Sequence, residues 1–490
     1  MIGQAQKPFL WLFGGVFVLA AGLVVYSQTV YSFAWDEGFH LLAAQLIKSG
    51  KWPYLDFCFP QVPLNAYWNA FWMRVFGDTW RTAHALAAVS TAGAILLTAD
   101  FLLKRFPPPG WRLAAGLTAA LTIGLNQYVL FFGTIGQAYG LCLLLIVAAF
   151  RLAILTVDRK GLLVPALAGL IAGAAASSSL LTATVGPVLL LWILIHNRAG
   201  SRAAKLAAFL AGAGIAFQPL LWLFVKGPRR VIFNVIQYHL LYRQVGWPGA
   251  IRHDLELMAA WIDSSQALLL GLLAAAGLLF IVFRSQWDRP LRAQFYLCGW
   301  LALALWAHIS TLHPNFPQYF ILLVPFLSIL ASVGLYSIGS RLYHPDEPFW
   351  PVLIYGVLLS LGLAKGQYEE REDFTWQDFQ EIATKVDQVT PPNVPLLADE
   401  HVYFLTRRPP PSGMELRDSH KLELPSTLAD SMHIVPESEL DRRIKAGVFS
   451  TVEACSFSDE KIEALGLARL YSQKAEIADC SIFWNRRSRP

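Results

Sequence analysis

The chain is short of charge. Only 15% of its 490 residues are Asp, Glu, Lys or Arg, against about 25% in an ordinary soluble domain. With 55% of the residues hydrophobic, it cannot hide its apolar surface from water by folding alone, which excludes the soluble globular class. The five cysteines, at 58, 142, 298, 455 and 480, form no CxxC pair and no His/Cys cluster at zinc-ligand spacing, so a structural zinc site is excluded. There is no internal repeat and no low-complexity tract, and the polar C-terminal segment carries no phosphate-binding loop, nucleophile elbow or metal motif. The net charge of +5 is divided among short basic clusters between apolar runs, which fits loops at a membrane surface and not nucleic-acid binding.

What the chain does have is one apolar run after another. Runs of roughly 18 residues or more read as transmembrane helices, and Pro, Gly and charge clusters divide them at about 9–27, 82–103, 112–126, 135–157, 161–177, 179–196, 203–225, 266–283, 295–311, 317–339 and 349–365. The predicted fold is an all-α polytopic membrane bundle of about 11 transmembrane helices. Lys7 precedes the first run, but "VVYSQTV" lacks a small-x-small cleavage site, so the run is read as a retained span. Lys7, Lys104, Arg105, Arg112, Arg151, Arg159, Lys160, Arg198, Arg202, Lys205, Arg284, Arg289, Arg292 and Arg341 all fall on one side of this arrangement. The alternate short connections carry no basic residue. That bias predicts a cytoplasmic N-terminus and an outer C-terminal segment, with two long connections, 28–81 and 226–265, on the outer face.

A membrane domain over 1–366 is followed by a sharp change in composition. Residues 367–490 read as a small soluble α/β domain: a polar helix at about 375–389, a Pro-rich break, a short apolar strand Val394–Ala398 and alternating stretches such as "AEIADCSIFWNRR". Cys455 and Cys480 both fall in it, either joined in an oxidising compartment or free as thiols.

The first long connection opens with "YSFAWDEGFHLLAAQLIKSG", in which the adjacent carboxylates Asp36 and Glu37 stand just beyond the first span. Asp is a favoured helix N-cap and Glu suits the first turn, so a structural role accounts for the pair by itself. Position favours more: a carboxylate at the outer end of a span can meet both a water-soluble and a lipid-borne substrate, and ionisable groups at membrane depth are costly enough to mark function. Further on, "QVPLNAYWNAFWMRVFG" spaces Leu64, Tyr67, Trp68, Phe71, Trp72 and Val75 on one helical face, the pattern of a helix lying in the membrane interface.

"WDEG" after a first span, followed by "DFCFPQVPLNAYWNAFWMRVFGDTWRTAH", resembles the first outer loop of the C-type, polyprenyl-phosphate-sugar-dependent glycosyltransferases, the bacterial relatives of protein O-mannosyltransferases and of the lipid A aminoarabinose transferase. "HPNFPQYFILLVPFLSILASVG" is similar to that family's late span, and the resemblance covers roughly residues 9–340. It implies that Asp36 is the general base, with Glu37 a supporting neighbour, for transfer of a sugar from a polyprenyl phosphate with inversion. Donor-phosphate candidates are Arg229, Arg230 and Arg243 in the second long connection, with Lys226 and Arg252 beside them, and His313 and Tyr319 in the late loop. Snorkelling to lipid headgroups is the plain alternative for these cations.

Where many relatives carry a second acid, "FFGTIGQAYG" offers Gln137 and Tyr139. Asp36 and His40 would supply a metal with only two ligands, and Asp56 is the other acid of the first loop able to join a site. The expectation is therefore an enzyme without metal or other cofactor, whose partners are the lipid-linked sugar, membrane lipid and a lipid, glycan or protein acceptor. Its expected location is the bacterial inner membrane. A transporter of lipid-linked sugars and a non-catalytic scaffold are the rival readings. Transporters place polar groups near the bilayer midplane and often show repeated halves, unlike this chain.

Overall fold

A computed structural model describes residues 7–246, 250–263, 265–312, 315–343, 347–371 and 374–487. It is mainly helical, with one small sheet near the C-terminus. The chain forms two compact units. The first comprises Met1–Gln28, His84–Gln218 and Gly249–Glu372, and the second Thr29–Ala83, Pro219–Pro248 and Asp373–Pro490.

Among the described residues, five helices are long and apolar enough to cross a membrane, all of them wholly or mainly in the first unit: Trp80–Arg105, Tyr139–Val157, Gln266–Phe283, Pro317–Leu342 and Phe349–Glu369. Gly14–Ser27, Leu163–Ser178 and Leu180–His196 are shorter apolar helices. The run expected at 203–225 is divided into Arg202–Ala216 and Gln218–Lys226, bent by 58°. Pro219 explains the break, because it has no N–H to give and its ring clashes with the preceding turn. The run expected at 112–126 is a helix of 13 residues, Arg112–Gly124. Asn126 then caps a new helix, Gln127–Phe132, by accepting the Val129 N–H. Helices Gln266–Phe283 and Val324–Leu342 pack closely where Gly277 meets the Leu330 carbonyl, with which a Cβ would collide.

The second unit unites the first long connection and the part of the second up to Pro248 with the C-terminal segment, while the rest of the second connection belongs to the first unit. Its sheet has strands β1 (Leu396–Leu397), β2 (Thr451–Glu453), β3 (Tyr471–Ile477) and β4 (Cys480–Arg486) in the order β1-β2-β4-β3. β1 runs parallel to β2, with Leu396 opposite Thr451. β4 is antiparallel to both neighbours, pairing Phe483 with Val452 and with Lys474. The turn between β3 and β4 places Ala478 and Asp479 at φ of 47° and 62°, the positive-φ pair that suits a tight two-residue hairpin. The polar helix expected at 375–389 is Trp376–Val389, opened by a Thr375/Asp378 capping box.

Cys455 and Cys480 are joined in a disulfide across 25 residues of sequence. Closing a loop of that size stabilises a fold by about 3 kcal/mol. Cys480→Ala is expected to lower the stability of the second unit by about that amount, read as a lower midpoint of denaturant unfolding, and excess reductant should reproduce the effect on the native chain.

The helix expected from Leu64 to Val75 spans Leu64–Phe76. Asn65, Ala66, Asn69, Ala70 and Met73 are buried, while Phe71, Val75 and Phe76 are exposed. Trp72 stacks on Phe76 at 5.4 Å. The aromatic stripe thus faces outward, as an interfacial helix requires.

Candidate functional site

Asp36 stands at the N-terminus of helix Glu37–Lys48 with φ −72° and ψ −7°, and its side chain makes no capping hydrogen bond. The bland expectation, a carboxylate spent on backbone amides, is not what the structure contains. The adjacent Glu37 is fully buried. Aromatic packing on the preceding residues fixes the approach. Phe33 stacks on Phe379 at 5.4 Å and lies 5.1 Å from the His401 ring, while Trp35 meets Phe374 at 5.1 Å.

Gly38 is the contact point between helix Glu37–Lys48 and helix Glu400–Thr406, because a Cβ there would lie 2.6 Å from the His401 ring. Gly38→Ala is expected to cost about 1–3 kcal/mol by overpacking and to displace Asp36. Thermal unfolding of the purified variant checks the first part and its crystal structure the second.

Around Asp36 the structure gathers a charged group that the sequence scatters. Arg417 lies 5.8 Å over the Trp35 ring and pairs with Asp399 at 3.4 Å and with Asp418 at 3.9 Å. Its backbone N–H donates to Glu400 Oε1 at 2.6 Å. Lys421 Nζ pairs with Asp418 Oδ1 at 2.9 Å and donates to the Tyr242 hydroxyl at 3.3 Å. Behind them Glu453 accepts the N–H of Asp399 at 2.7 Å and that of Cys455 at 2.8 Å.

The electrostatics follow from this arrangement. Asp36 keeps open surface on one side while protein crowds the others. Burial and the charge of Asp418 raise its pKa, and Arg417 and Lys421 pull it down. Burial also raises Asp399, with Arg417 opposing. For Arg417 burial works against the charge, but Asp399, Glu400 and Asp418 outweigh it and the guanidinium stays charged. His40, four residues beyond Asp36, is buried against Phe39 at 4.1 Å, and burial lowers its pKa to about 3, so the ring is neutral. Asp56 binds the Trp52 N–H at 2.7 Å within its own tight loop.

The expected phosphate-binding residues are dispersed. Arg229 is exposed near the start of a short helix. Arg230 donates to the carbonyls of Leu55 at 2.7 Å and Ser431 at 3.0 Å, which makes it a clamp between loops. Arg243 is half-buried on helix Tyr238–Gly246, which also bears Tyr242. Tyr319, in the first unit, packs against Phe316 at 5.6 Å. His313 lies outside the described residues. The sequence reading missed Tyr242, Asp399, Arg417, Asp418 and Lys421. Only the mixed charge of "LRDSHK" hinted at the last three.

No protein-family model and no curated protein matches the chain. Among solved structures it is similar to ArnT of Cupriavidus metallidurans in the apo state, at 16% identity and a TM-score of 0.67, with 98% of each chain covered. The crystal structure of the same protein bound to undecaprenyl phosphate matches at 15% identity and a TM-score of 0.65, again over 98% of each chain. The chain therefore has the C-type glycosyltransferase fold. An oligosaccharyltransferase of Archaeoglobus fulgidus is more distant, at 14% identity and a TM-score of 0.48 over 89% of this chain and 67% of that one.

Proposed function

We propose that the chain is a multi-pass membrane glycosyltransferase that moves a sugar from a polyprenyl phosphate to a lipid, glycan or protein acceptor outside the cytoplasm. The observation that carries this reading is Asp36: a carboxylate at a helix N-terminus, unused as a cap, open on one side and faced by cations. Asp36 takes the proton of the acceptor hydroxyl as its oxygen attacks the anomeric carbon, a task suited to a positioned carboxylate. The C–O bond to phosphate breaks on the opposite face, and the departing phosphate keeps the electron pair, so the anomeric centre inverts. Glu37 supports the base as its neighbour. ArnT bound to undecaprenyl phosphate supports a donor of that lipid class. The second acid absent from "FFGTIGQAYG" supports a reaction that needs no metal.

The Cys455–Cys480 disulfide supports an outer, oxidising location for the second unit. The Lys/Arg bias supports a cytoplasmic N-terminus. For a bacterial chain this means the inner membrane, with the C-terminal segment in the periplasm. Purified protein, a radiolabelled polyprenyl-phosphate sugar and a panel of acceptors test the reading. Label appearing on an acceptor, undiminished by a chelator, is the expected result. Movement of the carrier across vesicles without transfer would identify a transporter instead.

A further inference from the structure

We infer that Lys421 and Tyr242 form the seat for the donor's phosphate, and that Asp418 occupies this seat when the donor is absent. The inference rests on the reading above for the identity of the anion.

Among the described cations near Asp36, the alternatives are already engaged. Arg417 is held by Asp399 and Asp418, and Arg230 by two backbone carbonyls. Lys421 differs. Its side chain is 50% exposed, and Asp418 and Tyr242 take up two of the three N–H donors that an ammonium carries. One donor goes to the Tyr242 hydroxyl oxygen, which leaves the hydroxyl hydrogen to point elsewhere. Two donors 3.3 Å apart can grip two oxygens of a single phosphate, and charge-assisted bonds of this kind are the strong ones.

The aromatic surroundings hold the pair still. Tyr242 stacks on buried Tyr238 at 5.9 Å with the rings 11° from parallel, and Lys421 Nζ lies 5.4 Å from the Tyr242 ring centroid. Asp418, at 2.9 Å from Nζ, is the anion paired with the ammonium. A phosphate arriving on the ammonium competes with this carboxylate. Asp36 feels the charges of both Lys421 and Asp418, and Tyr242 feels that of Asp36. Base and seat are therefore within electrostatic range of one another.

The test is binding to full-length protein in nanodiscs, with undecaprenyl phosphate as the probe and undecaprenol and inorganic phosphate as separate arms. Loss of a charged hydrogen bond predicts that Lys421→Met weakens undecaprenyl phosphate binding at least about tenfold, with Lys421→Arg within about threefold of wild type. Tyr242→Phe falls between them. Asp418→Asn, which removes the competitor, binds more tightly than wild type, a gain that a merely structural role for Asp418 would not give. Undecaprenol binds weakly to every variant, and inorganic phosphate follows the order of the phospholipid arm at lower affinity. Undiminished binding in both Lys421→Met and Tyr242→Phe, or weaker binding in Asp418→Asn, overturns the assignment while leaving Asp36 chemistry intact. Failure of the wild type to bind undecaprenyl phosphate overturns the donor reading as well.

Discussion

Asp36→Asn is expected to cut glycosyl transfer roughly 100- to 10,000-fold, the usual contribution of a positioned general base, with the protein folded as before. The fold should survive because the Asp36 side chain caps no helix amide and the substitution keeps its shape. What is lost is the capacity to accept a proton. The acid limb of the rate profile gives an independent check. The base works only when ionised, and burial together with Asp418 raises its pKa. Transfer should therefore fall away as pH drops through a point above the ordinary carboxylate range. In Asp418→Asn that limb should move to lower pH, since one of the charges raising the pKa is gone. Transfer by Asp36→Asn at the wild-type rate would remove Asp36 as the base.

Trp376→Ala should destabilise the second unit by about 3–5 kcal/mol, as deletion of a buried aromatic does. Trp376 is fully buried, stacks on Trp80 at 5.0 Å with the rings 5° from parallel, and meets Phe33 edge-on at 5.7 Å. Its backbone N–H donates to the Val30 carbonyl at 2.9 Å. One side chain thus ties the opening of the first long connection and the end of that connection to the C-terminal segment. Chemical denaturation followed by tryptophan fluorescence would read the loss. Wherever the variant remains folded, turnover should fall too, because Phe33 and Trp35 aim Asp36.

Several features could be read from the sequence because their causes are local. The outward aromatic stripe of helix Leu64–Phe76 comes from 3.6-residue spacing, and helix Trp376–Val389 announces itself through Thr375 and Asp378. The adjacent acids at 36 and 37 were visible for the same reason. The partners of Asp36 were not, since Arg417 and Lys421 come from nearly the other end of the chain and no spacing rule links them. Arg230 was misleading in a different way: a cation in an outer connection suits phosphate, and only the carbonyls of Leu55 and Ser431 reveal it as a clamp. The bend after Ala216 follows from Pro219, a signal that the unbroken hydrophobicity of 203–225 concealed.

Glu453, holding the amides of Asp399 and Cys455 at once, has a consequence for biosynthesis. β2 lies between β1 and β4, so the sheet that carries Glu453 is complete only once β4, late in the chain, has been made. A nascent chain can form its apolar helices early and still lack the strand that completes the sheet around Glu453.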